Sequence, residues 1–201
     1  MPAVELSEEH AELDPLRQFS AWFEEAGSAG SRVPDAVALA TATPDGAPSA
    51  RMVLLKDFGE RGFVFFTNYE SRKGRELEAN PRSALLFYWD SLGRQVRIEG
   101  HAERLSGEES NAYFQTRPLG ARLSAWASRQ SEVVDSREAL QDAVDELRSH
   151  VGEELDAPPY WGGYVLRPSV FEFWQHRDDR LHDRLRYQRD GDSWVRERLA
   201  P

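Results

Sequence analysis

The 201-residue chain contains no cysteine, which excludes disulfides and thiolate metal ligands. It is nearly without lysine as well: of 25 Lys and Arg residues, only Lys56 and Lys73 are lysines. No apolar run approaches the length needed to cross a bilayer, and the acidic start, MPAVELSEEHAELDP, has no signal-peptide core. A cytoplasmic protein with no membrane partner is the expectation. A formal net charge of −10 argues against a nucleic-acid partner. Gly-rich phosphate loops, nucleophile elbows and His-Glu-x-x-His are missing too, so nothing supports a serine or zinc hydrolase.

The negative charge is unevenly placed. Residues 1–14 hold five acids and no Lys or Arg, and residues 132–156 hold nine acids against Arg137 and Arg148. Taking these 14 acids and two arginines from 35 and 25 leaves 21 acids and 23 bases. An acidic average therefore hides a mildly basic working portion. With 40% hydrophobic and 11% aromatic residues, the chain reads as one globular domain over residues 14–201. The acidic residues 1–13 read as a mobile tail in front of it.

Asp14-Pro15 is an N-cap followed by proline at the first helical position, and Leu16, Phe19, Phe23 and Ala26 give the buried face of that helix. VALATATPDGAPSARMVLL predicts two strands around a Pro-Asp-Gly turn, with a third strand over residues 62–68. ESRKGRELEANP is a short helix capped by Ser71 and ended by Pro81. SALLFYWD and RQVRIEGHAERL are strands, Ser106 and Glu109 make a capping box, and another short helix is expected around residues 120–128. Leu140, Ala143, Val144, Leu147 and Val151 mark an amphipathic helix. Four strands follow, YWGGYVLRP, VFEFWQH, RLHDRLRYQ and SWVRERL, with a hairpin turn at Asp190-Gly191. Sequence-adjacent strand pairs with helices between them predict a mainly β, antiparallel barrel with α insertions.

RMVLLKDFGERGFVFFTN poses the functional question, because Arg51 and Lys56 bracket a strand that carries no acid. SRKGR sharpens it. Arg72 and Lys73 lie in the first turn of a helix, against the positive end of its dipole, and a bound phosphate removes that conflict. A solvated helix face is the alternative. In RLHDRLR, strand alternation puts Arg180, His182, Arg184 and Arg186 on one face, which must meet solvent, a partner's acids or a ligand. His176, Asp178 and Asp179 are near, but Arg177 and Arg180 repel a metal ion. Tyr113 and Arg117 stand one helical turn apart as a phosphate or carboxylate clamp, or as Tyr packing with Arg snorkelling past it. Gln95 shares a strand face with Arg97 and can both donate to and accept from a heteroaromatic ring. Separated anion sites among many aromatics suit a phosphorylated aromatic ligand, or two of them.

Nine segments, RMVLLK, GFVFFTNYESRKGRELEANP, RQVRIEG, YFQTRP, WASRQS, WGGY, FEFWQ, RLHDR and RLAP, together resemble the pyridoxamine/pyridoxine 5′-phosphate oxidase family. The resemblance runs from Asp14 to Pro201. It implies a split β-barrel homodimer with FMN in clefts at the subunit interface. The implied reaction oxidises pyridoxine or pyridoxamine 5′-phosphate to pyridoxal 5′-phosphate, with O2 as acceptor and H2O2 as product. By resemblance the FMN site is Arg51, Met52, Val53, Leu54, Leu55, Lys56, Phe66, Thr67, Arg72, Lys73, Gln95, Gln130, Ser131, Trp174 and Arg184. Lys56, Tyr113 and Arg117 clamp the substrate phosphate, and Arg180 and His182 lie against the substrate ring as catalytic residues. On the carrying strand, Arg51 and Lys56 then face opposite ways and serve two ligands. Two positions depart from the family: Ala121 stands where a serine usually meets the substrate phosphate, and Leu119 where a basic residue is common. A barrel oxidase for another ring, as in the phenazine pathway, and a non-catalytic flavin- or pyridoxal-phosphate-binding protein are the competing readings.

Overall fold

A computed structural model describes residues 5–150 and 155–201. Helix α1 (Pro15–Ser28) begins where Asp14 accepts a hydrogen bond from the Leu16 N–H and Pro15 enters the first turn. It buries Phe19, Trp22 and Ala26, with Leu16 and Phe23 at the margin of the core. Strands β1 (Ala36–Ala42) and β2 (Pro48–Leu54) form the expected hairpin. A three-residue strand, β3 (Asp57–Gly59), pairs with β4 (Gly62–Asn68) and is too short to leave a pattern in the sequence. Helix α2 (Arg72–Ala79) leads to β5 (Arg82–Trp89) and β6 (Arg94–Arg104). Then come α3 (Gly107–Thr116), α4 (Leu119–Ala127), α5 (Arg137–His150), β7 (Trp161–Gln175), β8 (Asp183–Asp190) and β9 (Ser193–Arg198).

All strand pairs are antiparallel, in the order β2-β1-β5-β6-β7-β4-β3, with β8 and β9 branching from β7. The sequence divides YWGGYVLRP from VFEFWQH at Pro168, yet β7 runs through it as one strand of 15 residues. Proline cannot donate to a ladder. The register with β6 shifts at Glu99/Gly100, opposite Pro168, and on the other edge β4 stops pairing before that residue and β8 starts after it. The sheet splits at this point, with the mainly β, antiparallel architecture and helical insertions expected.

Aromatic rings fill the core. Phe19 meets Phe58, Phe63 and Phe87 at centroid distances of 4.9, 4.9 and 5.1 Å, edge to face. A second, smaller core of Phe114, Leu123, Leu155 and Trp161 joins α3 and α4 to the start of β7, and Val144 and Leu147 of α5 rest on it. Val151, the last apolar position expected of α5, lies outside the described residues. Among the described residues no helix is long and apolar enough to cross a membrane.

The segment set apart as a tail is docked on the domain in its described part, residues 5–13. Leu6 is buried in the main core, the Tyr187 hydroxyl donates to the Glu12 carbonyl, and Arg196 donates to the carbonyls of Ala11 and Glu8. The acidic composition that suggested a tail is what cations on β9 attract.

Candidate functional site

Charge converges at the start of α2. Ser71 caps the helix through the Gly74 N–H, and no acid stands in the first turn. A Cβ on residue 74 would lie 2.1 Å from the Tyr69 carbonyl oxygen, so glycine lets α2 seat directly against the end of β4. Lys73 points inward and is buried; its ammonium donates to Thr67 Oγ1 at 2.8 Å, Ser71 Oγ at 3.1 Å and Gln130 Oε1 at 2.7 Å. All three acceptors are neutral. Burial, and then the nearby charge of Arg51, push this ammonium down to about 8.

Arg51 of β2 and Arg72 of α2 share one buried carboxylate, Glu76, at 3.1 and 2.9 Å. The hydroxyls of Thr41 and Ser49 also donate to it. Burial raises this carboxyl, but the donors from Ser49, Thr41, Arg72 and Arg51 outweigh it and hold it at about 2. Arg51, Arg72 and Lys73 thus share the neighbourhood of one carboxylate, which pairs with the two arginines only. The surplus of two positive charges beside a helix N-terminus matches a phosphate monoester.

These residues form one wall of a cleft of about 1070 Å³. Arg51, Met52, Val53, Leu54, Lys56, Phe66, Thr67, Arg72, Lys73, Tyr113, Arg117, Gln130 and Ser131 all line it. Phe66 stacks on Tyr113 at 3.9 Å and on Trp161 at 5.3 Å, giving the cleft an aromatic floor. The Arg117 guanidinium lies 4.8 Å from the Trp161 ring centroid, and its buried Nη1 has no hydrogen-bond partner among the described residues. Burial lowers the pKa of this guanidinium. Orphaned buried donors are rare and costly, and an anion in the cleft satisfies this one. The volume, aromatic floor and cationic wall fit FMN with a second phosphorylated ligand.

Leu55 is the exception within the 51–56 run: its side chain is in the core and it does not line the cleft. Lys56 is not on the strand either. Hydrogen bonds from Leu55 N–H to Asp35 O and from Lys56 N–H to Val64 O end β2, and Lys56 turns back into the cleft that Arg51 lines. The two cations therefore face one cavity and not opposite sides of a strand, and both have acids across from them, Lys56 pairing with Asp35 at 3.3 Å.

The remaining candidates form a second group outside that cleft. Gln95, Trp174 and Arg184 stand in register across β6, β7 and β8. Arg184 is held by buried Glu172 at 2.7 Å, and Arg186 by Glu197 at 2.5 Å, so carboxylates of the same chain meet part of the cationic face. Strand alternation does not reach Arg180 and His182, because β8 starts at Asp183 and both lie in the loop before it. The His182 ring is 4.7 Å from Trp174. Its Nδ1 accepts from the Arg177 N–H at 3.0 Å. A backbone N–H only donates, so the neutral ring carries its proton on Nε2, the nitrogen left for a ligand.

Ser131 and Arg180 are the only non-glycine residues with positive φ among those described, at 77° and 64°. Such backbone costs on the order of 1–3 kcal/mol each and concentrates at functional sites. Ser131 uses it to place Oγ 3.2 Å from the Arg72 N–H. Sequence reasoning missed Glu76 and Trp161; the spacing of Arg72 and Glu76, one turn apart, was the available signal for the first.

Residues 23–151 match the family described as pyridoxamine 5′-phosphate oxidase, and residues 161–201 match the pyridoxine 5′-phosphate oxidase C-terminal dimerisation region. The chain is 62% identical over 197 residues to a pyridoxine/pyridoxamine 5′-phosphate oxidase of Rubrobacter xylanophilus, covering 98% of this chain and 91% of that protein. A Salinibacter ruber protein of the same name is 56% identical over 202 residues, covering 98% and 94%. Among solved structures, PhzG from Burkholderia lata 383 in complex with tetrahydrophenazine-1-carboxylic acid is similar at a TM-score of 0.92 and 38% identity, covering 99% of this chain and 98% of that one.

Proposed function

The chain belongs to the FMN-dependent pyridoxamine 5′-phosphate oxidase family, and from that premise we propose that it oxidises pyridoxine or pyridoxamine 5′-phosphate to pyridoxal 5′-phosphate, with O2 as acceptor and H2O2 released. The observation that carries this reading is two separate unmet cationic demands in one cleft. Arg51, Arg72 and Lys73 exceed their carboxylate by two charges, and Arg117 holds a buried guanidinium N–H without an acceptor among the described residues.

In this reading Arg72 and Lys73, with Gln130 and Ser131, hold the FMN phosphate, and Arg51 and the 52–54 backbone run along the cofactor. Arg117, Tyr113 and Lys56 clamp the substrate phosphate. Arg180 covers the substrate ring, and His182 donates from Nε2 to the substituent on the reacting carbon. Bound there, FMN would supply the redox chemistry that the oxidation by O2 requires. Phe66, Tyr113 and Trp161 keep water from that face.

Gln95, Trp174, Arg184, Arg180 and His182 reach a cleft only when two copies pair. Met52, Leu54, Leu86 and Tyr88 are exposed, and register places Met52 and Leu86 on either side of Ala38 on one sheet face. A second copy covering that apolar face closes the cleft, which Met52 and Leu54 also line. The match of residues 161–201 to a dimerisation region supports the same arrangement.

A test is anaerobic titration of the purified protein with pyridoxine 5′-phosphate, followed in the visible spectrum. Bleaching of the flavin band, with aldehyde formed and colour restored by air, is expected. A flavin band that persists turns the search to another ring, for which the likeness to PhzG nominates a phenazine-type carboxylic acid. Ala121 lines the cleft four residues beyond Arg117. Ala121→Ser adds a hydroxyl contact of about 1 kcal/mol to the substrate phosphate and lowers KM about fivefold, with FMN affinity unchanged. An unchanged KM in steady-state assays counts against a substrate phosphate at that helix.

A further inference from the structure

The acidic N-terminal segment and the loop carrying Arg180 and His182 are linked by a continuous chain of ion pairs. Glu8 takes Arg198 side-on, Oε1 to Nε at 2.8 Å and Oε2 to Nη2 at 2.6 Å, the stronger geometry for such a pair. Arg198 donates through Nη1 to Asp183 Oδ1 at 2.9 Å, and Asp183 Oδ2 accepts from Arg177 Nε at 2.7 Å. Arg177 Nη2 also lies 3.3 Å from Glu5. The hydrogen bond from Arg198 keeps the Glu8 carboxyl down at about 2, so it stays charged at any working pH.

Arg177 is the hub of the loop. Its N–H donates to His182 Nδ1 at 3.0 Å, its carbonyl accepts from the Arg180 N–H at 3.1 Å, and its guanidinium meets the acids. Other contacts of the loop are His176 N–H to Gly93 O, His176 with Asp178 at 3.5 Å, the His182 ring against Trp174 and His176, and a local bond from Leu181 N–H to Asp179. It stands in solvent, with Leu181 68% exposed, and it contains the left-handed Arg180. Strained backbone persists where its surroundings over-determine it, and the 176–182 loop alone supplies few restraints.

We propose that Glu5 and Glu8 are positioning residues: through Arg198, Asp183 and Arg177 they hold the 176–182 loop so that His182 keeps its Nε2–H tautomer and Arg180 its backbone conformation. The proposal rests on the reading of Arg180 and His182 as substrate contacts. It gives the cation-free residues 1–14 a role that their charge alone does not explain. The groups shown against the His182 ring are Trp174 on β7, His176 and the Arg177 N–H, so Arg177's position decides what Nδ1 meets.

The test compares wild-type holoenzyme with the full-length Glu5→Gln/Glu8→Gln double variant, and with Glu9→Gln on the same segment as control. Expected for the double variant are a fall of about fivefold in kcat/KM for pyridoxine 5′-phosphate and unchanged FMN affinity. In nitrogen-15 histidine spectra, its His182 signal moves from a single Nε2–H tautomer towards an average of two. Glu9→Gln matches the wild type. If the double variant does not fold, Glu5→Gln alone, at an exposed carboxylate, gives the same readings at smaller size. Wild-type kinetics and an unchanged His182 tautomer in the glutamine variants overturn the proposal. A wild-type protein that does not oxidise pyridoxine 5′-phosphate overturns the functional reading instead, and the tautomer comparison still decides whether Glu5 and Glu8 position the loop.

Discussion

Replacing Arg72 by Gln and Lys73 by Met together lowers FMN affinity about 10³-fold while the protein stays folded. Each charge-assisted hydrogen bond to a phosphate contributes about 1.5–3 kcal/mol, and 1.4 kcal/mol is tenfold in a dissociation constant. Lys73→Met keeps the buried stem, and Ser71, which lost one donor, still donates to the Asn68 carbonyl. Lys73 also makes binding pH-dependent. Its ammonium is pushed down to about 8 in the protein, and only the charged form attracts phosphate. FMN raises that pKa, so affinity weakens as pH climbs through 8, by at most tenfold per unit. Glu76, which faces the same site, is held at about 2 and stays ionised. Flavin fluorescence titrations from pH 7 to 9 should show this slope in the wild type and none in Lys73→Met. Equal affinities for wild type and the double variant refute the phosphate assignment.

The sequence carried the cationic cluster at the start of α2 because its signal was local. Ser71, Arg72 and Lys73 are consecutive, the dipole conflict is a property of one turn, and the cap is where composition puts it. The same holds for the Ser106/Glu109 capping box, which forms as spelled. What stayed hidden depends on distant partners. Nothing near Glu76 announces that it gathers Arg51 from β2 as well as its helical neighbour Arg72. Glu8 finds Arg198 at the other end of the chain, which turned an expected tail into a docked segment. Continuity of β7 through Pro168 needed a register shift against β6, with Ser169 of β7 left out of the pairing between Gly100↔Pro168 and Glu99↔Val170, and that depends on how the two strands meet. The misplacement of Arg180 and His182 on a strand came from extending a true alternation, Asp183, Leu185 and Tyr187 inward, three residues too far.

Arg180→Ala and His182→Ala each lower turnover about 10²-fold with FMN affinity within twofold of the wild type. Removing a single preorganised donor at a reacting centre costs about that much in rate. His182 is such a donor by construction, since the Arg177 N–H occupies Nδ1 and leaves Nε2–H for the substrate. Arg180 needs a sharper test, because its φ of 64° makes any substitution a backbone experiment too. Glycine accepts that conformation without the Cβ penalty of about 1–2 kcal/mol per residue. Arg180→Gly should therefore match or exceed the wild type in Tm while losing turnover as fully as Arg180→Ala. Were Arg180 present only for the shape of the loop, the glycine variant would keep its activity. A side chain that acts on the substrate predicts the opposite: stability and turnover separate in the glycine variant, and the guanidinium is what turnover requires. Purification of either alanine variant without flavin would move both residues from the substrate to the cofactor side of the cleft.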